Sequence, residues 1–206
     1  MKINIIKTSL CVLISGIALL LCVTNTEAQN NYVDFDSTDN LTTSLPKETI
    51  NNEGSDYVEI QYRFPGAFVT YKSVDDNVYN YIHIDGFGKM GQVGKPALPA
   101  YHDILAIPEN ASPEISITHS EYTEYAGYMI HPALEPAIDS DTTQPEFEMD
   151  SSLYNSDAFF PENIVKINYI QKIRGIPLAF VQICPVQFNP VTKTIRVYSE
   201  ITYRVN

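Results

Sequence analysis

From Thr194 to Val205, Ile195, Val197, Ile201 and Tyr203 fall on one side of the chain and Arg196, Glu200, Thr202 and Arg204 on the other. A period of two cannot wrap a helix of 3.6 residues per turn, so this run is a strand with one face in a core and one in water. Asp56 to Phe64 repeats the pattern, setting Val58, Ile60, Tyr62 and Phe64 against Glu59, Gln61 and Arg63. Val165, Ile167 and Tyr169 alternate in the same way, ahead of a turn at Arg174-Gly175. The following segment, IPLAFVQICPVQF, is nearly continuous in apolar residues, which is the pattern of a strand covered on both faces. Asn189-Pro190 with Thr192-Lys193 forms the next turn, and the runs on either side of it are expected to pair as a hairpin.

Upstream, FVTYKSV and VYNYIHI flank the turn-forming Asp75-Asp76-Asn77, and a loop dense in glycine and proline runs from Asp85 to Pro99. Strand signals resume from Tyr101 to Ile107 and from Glu114 to Tyr125, with Tyr128 to Ile130 as a short candidate partner. Pro132 to Pro161 breaks the pattern with four prolines and the carboxylates Glu135, Asp139, Asp141, Glu146, Glu148, Asp150 and Asp157. Short, regularly spaced strands, 13 prolines, 14 tyrosines and the lack of an amphipathic helical stretch predict a mainly β class, specifically an antiparallel β-sandwich. One domain is expected over 56–206. The polar stretch 29–55, rich in Asn, Asp, Thr and Ser, reads as a flexible leader.

Residues 1–28 have the layout of a secretory signal: Lys2 and Lys7, an uncharged run from Leu10 to Val23, then small residues ending at Ala28, where cleavage is expected. The run falls short of the roughly 20 apolar residues a spanning helix needs, so the mature chain is expected to be exported without an integral membrane segment. Removing the signal also removes Cys11 and Cys22 and leaves Cys184 as the sole thiol, which excludes an internal disulfide. The chain carries 13 basic and 25 acidic residues, a balance that disfavours nucleic acid as a partner. The charge is uneven. No Lys or Arg lies between Lys95 and Lys166, whereas six basic residues lie from Lys166 to Arg204.

No catalytic constellation emerges. His83, His102, His119 and His131 are scattered without metal-ligand spacing, and Cys184 sits mid-strand in an apolar run rather than in the exposed, electropositive setting of a reactive thiol. Asp139-Ser140-Asp141 lacks the glycine and closing glutamate of a calcium loop. Neither a GxSxG elbow, a P-loop nor a dinucleotide fingerprint occurs. No catalytic, cofactor-binding or metal residue is therefore assigned. Two sequons, at Asn40 and Asn110, mark surface positions. On these residues alone a secreted binding module for carbohydrate or surface adhesion remains open beside a protein-binding role.

The run Val93-Gly94-Lys95-Pro96-Ala97-Leu98-Pro99, with Ile107-Pro108 after it, resembles the G-x-P-x-L-P … (V/I)-P signature of gingipain-type cysteine protease propeptides. The order downstream is also similar: Phe147 to Asp150, Tyr154, Phe160-Pro161, Val165, Ile173-Arg174-Gly175, Pro185, Phe188-Asn189-Pro190 and Val197-Tyr198, so that the likeness covers about Asp56 to Val205. Gly94, Pro96, Leu98, Pro99, Pro108, Arg174, Gly175, Asn189 and Pro190 are the family-motif residues. The resemblance implies a non-catalytic β-sandwich prodomain, needing no cofactor, that is exported with its protease, assists its folding and blocks its cleft until removed. Its partner would be a cysteine protease catalytic domain, in cis or in trans. The resemblance also implies a basic side chain for an Arg- or Lys-specific pocket, yet Pro132 to Pro161 has none, so no blocking residue is assigned. With respect to its end at Asn206, the chain reads as the front of a longer precursor or as a free-standing prodomain-like protein.

Overall fold

The computed structural model describes residues 31–35, 46–53, 56–136 and 145–206; the signal segment and the Asn40 sequon lie outside this range. The strands are β1 (Asn31–Asp34), β2 (Lys47–Glu53), β3 (Val58–Arg63), β4 (Gly66–Val74), β5 (Asn77–His83), β6 (Gly88–Lys89), β7 (Pro99–Ala106), β8 (Ile115–Ala126), β9 (Val165–Ile173), β10 (Ile176–Ile183), β11 (Val186–Asn189) and β12 (Thr194–Val205), with one helical turn, α1 (Ser151–Tyr154), ahead of β9. They form three sheets: β1-β4-β5, β6-β7-β10-β9, and β11-β12-β3-β2 with β8 added on β12. Every pairing between strands is antiparallel.

The alternating runs of β3 and β12 act as expected, whereas in β9 a bulge opposite Phe180 and Val181 turns Tyr169 away from the inward face of Val165 and Ile167. Ile60 and Tyr62 of β3, Phe64 just beyond it and Ile195, Val197, Ile201 and Tyr203 of β12 are buried in one apolar core shared with Val181 and Ile183 of β10 and Val69 and Ile82 of the three-stranded sheet. Asp103 of β7 reaches into this core. Its Oδ2 accepts from the hydroxyls of Tyr62 at 3.1 Å and Tyr203 at 3.3 Å, which ties the four-stranded sheet to the five-stranded one. Burial, reinforced by that carboxylate, holds both phenols above their ordinary pKa. Both expected turns are present, the first confined to Asp75 and Asp76 because Asn77 already opens β5. Asp75 and Asp76 have φ of 46° and 65°, while Arg174 and Gly175 have 50° and 87°, the left-handed pair that a tight hairpin requires.

Three features differ from the sequence reading. The apolar run from Ile176 to Phe188 is two strands rather than one. Pro185 has no N–H to donate, so the ladder stops at Cys184; β10 pairs with β7 and β9, and β11 pairs with β12 in the neighbouring sheet. Second, the stretch assigned to a leader contributes β1 and β2, which pair with β4 and β3, and Phe35 enters the core. Edge strands are held largely by backbone hydrogen bonds and need few apolar side chains, so composition does not reveal them. Third, the acidic segment contains α1, whose N-cap is Asp150, with Oδ1 accepting from Ser152 N and Leu153 N at 3.0 and 3.2 Å. The Ser152 hydroxyl, with these two amides, holds the Asp150 carboxyl below its usual pKa.

Candidate functional site

Gly94 binds two distant segments at once. Its N–H donates to Ala133 O at 2.9 Å, and its carbonyl accepts from Asp150 N at 2.9 Å. The chain that departs at Ala133 therefore returns to the same glycine at Asp150, so that both stems of the intervening loop are pinned at one residue. Gly94 has φ +80°, and a Cβ there would lie 3.2 Å from Asp150 N, so both conformation and space favour glycine. Lys95 O accepts from Ala133 N at 2.7 Å, Ala97 N donates to His131 O at 2.9 Å, and Pro96 bridges Pro132. Pro96, Leu98 and Pro99 are buried beneath these bonds, so the G-x-P-x-L-P run is a rigid clamp on both stems of the loop.

Aromatic packing completes the clamp. The His131 ring stacks on Tyr81 at 4.5 Å and meets Tyr79 and Phe147 edge-on at 5.5 and 5.3 Å, while Phe147, from the returning stem, also touches Tyr79 at 5.4 Å. His131 Nδ1 donates to Pro132 O at 2.6 Å. Burial lowers its pKa despite that bond, with Lys72 and Lys89 adding to the effect, so the neutral ring is the stable form here. Tyr154 of α1 donates to Ile130 O at 2.8 Å and fixes the helical turn to the departing stem. Along the returning stem Pro145, Phe147 and Met149 turn inward while Glu146 and Glu148 face solvent. Asp139 and Asp141 lie outside the described residues.

The other motif residues sit elsewhere. Pro108 follows β7 and lines a cleft of about 450 Å³ between the ends of β3, β7 and β12. Arg174 and Gly175 make the β9–β10 turn. Asn189 organises the β11–β12 turn, its Oδ1 accepting from Val191 N and Thr192 N, while its Nδ2 donates to Asp157 at 2.9 Å and Pro190 is buried beside it. Of the motif residues, Gly94 and Pro96 meet the loop stems directly, while Leu98 and Pro99 are buried behind them, Pro99 opening β7 opposite Lys89. His131 and Tyr79 were not singled out for this role in the sequence. Their signal was faint: one histidine directly before the first proline of the acidic segment.

Burial pushes the Cys184 thiol up to about 11, and Gln182 Nε2 donates to its sulfur at 3.1 Å. Among the described residues no group of three or more His, Cys, Asp or Glu could hold a metal ion, and no helix is long and apolar enough to cross a membrane.

A model of the Propeptide_C25 family matches residues 42–206, which contain the whole clamp and both loop stems. The chain belongs to the Propeptide_C25 family. Among its relatives, gingipain R2 of Porphyromonas gingivalis is 28% identical over 117 residues, 57% of this chain and 16% of that protein. Lys-gingipain HG66 of Porphyromonas gingivalis is 24% identical over 187 residues, 87% of this chain and 10% of that protein. The chain thus spans a small fraction of the length of these relatives. Two solved structures share the fold. One is the complex of the pro- and mature domains of Porphyromonas gingivalis RgpB, with TM-score 0.70, 24% identity and coverage of 77% of this chain and 83% of that one. The other addresses the zymogenic latency of gingipain K from the same organism, with TM-score 0.69, 19% identity and coverage of 87% and 98%. Membership in the Propeptide_C25 family does not favour the carbohydrate-binding alternative.

Proposed function

We propose that this chain is a non-catalytic prodomain that keeps a gingipain-like cysteine protease latent by laying the loop clamped at Gly94 across the protease cleft, and that assists the protease's folding. The single observation that carries the reading is the convergence of Ala133 and Asp150 on Gly94, inside the family motif. A loop whose stems are fixed loses little conformational freedom on binding, and such preorganisation is what makes a blocking loop tight rather than merely a competing peptide. The acidic stems, with Glu135, Glu146 and Glu148 exposed and no basic residue between Lys95 and Lys166, suit a cleft with a positive rim. Export is part of the same reading: residues 1–28 act as a cleaved signal, and the domain functions outside the cytoplasm.

The test mixes residues 29–206 with each gingipain-type catalytic domain of the source organism. Slow, tight inhibition of one of them is expected, and its loss when 137–144 are replaced by Gly and Ser. Unaffected turnover of all of them at hundredfold excess would sink the reading.

A further inference from the structure

Among the described residues, the outward face of the four-stranded sheet carries a largely exposed apolar patch next to the polar row His102, Gln182 and Lys166. Strand register places Ile104 of β7, Phe180 of β10 and Tyr169 of β9 in one row, with Leu178 beyond Phe180 and the pair Ile173–Ile176 at the hairpin end. Ile104, Tyr169 and Ile176 are 53%, 53% and 54% exposed, and Tyr169 and Phe180 stack with ring centroids 4.4 Å apart. Their neighbours Ala179, Val181 and Ile183 along β10 point the other way and are fully buried, Val181 and Ile183 in the core. β10 thus has the composition of a strand sandwiched between two apolar layers, and only one of those layers is supplied within the described residues. A contiguous patch of this kind on a soluble domain marks a protein contact.

The charge around the patch identifies the sort of surface that covers it. No Asp or Glu occurs in β9 or β10, and Glu109, just beyond β7 at the hairpin end, is paired with Lys172 at 2.6 Å, which leaves Lys166 and Arg174 to set the sign of the rim. Lys166 lies beside one end of the apolar rows and Arg174 at the other, in the β9–β10 turn. A second copy docked face to face about a twofold axis would set this cationic rim against itself. The covering surface is therefore a different protein with an apolar centre and a carboxylate-bearing rim.

We propose that the outward face of β7, β10 and β9 is a second docking surface for the protease catalytic domain, separate from the loop clamped at Gly94, and that it meets an apolar, acid-rimmed patch outside the active-site cleft. This rests on the latency reading above. Division of labour follows: the loop blocks the cleft, and the sheet face supplies the buried area that brings the contact towards the ~1,600 Å² of a standard interface. Tyr169 is the expected anchor, since an exposed tyrosine pre-stacked on Phe180 presents a rigid ring at small entropic cost.

The experiment measures binding of residues 29–206 to the catalytic domain that they inhibit, comparing wild type with Ile104→Glu/Tyr169→Glu and with Lys166→Glu/Arg174→Glu. Because Ile104, Tyr169 and Arg174 are exposed and Lys166 is only half-buried, circular dichroism and thermal unfolding are expected to match wild type closely. The first double variant is expected to bind at least hundredfold more weakly, chiefly through faster dissociation; the second is expected to associate about tenfold more slowly at low salt and to lose most of its salt dependence. Hydrogen exchange in the complex should protect 169–180 as well as the loop stems. Inhibition by wild type with unchanged affinity of the folded Ile104→Glu/Tyr169→Glu variant would overturn the docking face and leave the latency reading intact. Absence of binding by wild type to any such catalytic domain would instead remove the latency reading, and this inference with it. A wild-type dimer dissolved by the same variant would assign the face to self-association and overturn the proposal.

Discussion

Two sheets contribute to the same core yet turn opposite kinds of surface outward. On the five-stranded sheet the outward rows of β3, β12 and β8 carry paired polar residues: Arg63 meets Glu200 at 3.0 Å, Gln61 donates to the same carboxylate, Arg204 meets Glu59 at 3.0 Å and lies over the Tyr57 ring, and Arg196 of β12 meets Glu124 of β8 at 2.7 Å. On the four-stranded sheet the corresponding rows carry Ile104, Phe180, Tyr169, Ile173 and Ile176. An antiparallel sheet that ends in water shows the first pattern; the second is that of a sheet that expects another layer. The contrast teaches that burial on the inner side alone does not explain the composition of β9 and β10. Their outer side requires a reason of its own, and a partner provides one.

Truncating equivalent aliphatic residues is the most forceful way to break this comparison. Ile201→Ala, on the buried side of β12, is expected to cost about 2–5 kcal/mol in urea unfolding, as the cavity it leaves cannot be refilled. A loss below 1 kcal/mol would show that the core is not closed as described. Gly94→Ala acts on the clamp rather than on either sheet face. The left-handed φ alone costs about 1–2 kcal/mol, and the new methyl presses on Asp150, so inhibition should weaken more than global stability does. Equal losses in both would refute a role specific to the loop.

Acidification also addresses the clamp. Since the His131 pKa is lowered in the folded state, the unfolded chain takes up its proton first; stability is complete above about pH 6.5 and declines as the pH drops below that value. His131→Phe should flatten this part of the urea midpoint against pH, and an unchanged slope would count against the buried neutral ring. Smaller still is Glu59→Gln on the polar face, expected at about 0.5–1 kcal/mol and reduced by salt because the pair is partly solvated. Last, Ile104→Ala on the apolar outward face should shift isolated-domain stability by no more than about 0.5 kcal/mol. A cost near that of Ile201→Ala would mean that this face is already covered within the chain.

Much of the fold was legible because the signals were local. Period-two alternation placed β3, β9 and β12, and the Asp75-Asp76 and Arg174-Gly175 turns defined two hairpins. Cys184 was readable as a buried, inert thiol from its apolar neighbours. By contrast, β1 and β2 escaped notice because edge strands draw on backbone hydrogen bonds that any sequence can make. The break at Cys184-Pro185 was in plain view, but whether the chain ends there or changes sheets depends on where β12 lies. For the candidate site, Gly94, Pro96, Leu98 and Pro99 stood out as a motif. Its purpose did not, since Ala133 and Asp150 are far along the chain and meet Gly94 only through backbone atoms that carry no sequence signature.

By itself, then, the sequence determined strand class, turn positions, the lack of a catalytic constellation and the charge asymmetry, all of which follow from residue type and short-range spacing. Tertiary structure alone decided which strands share a sheet, which loop the glycine closes and which side of an apolar strand is left bare. The physical reason is common to all three. Pairing and burial depend on partners distant in sequence, and a strand with apolar residues on both sides has the same composition whether its second cover comes from its own chain or from another.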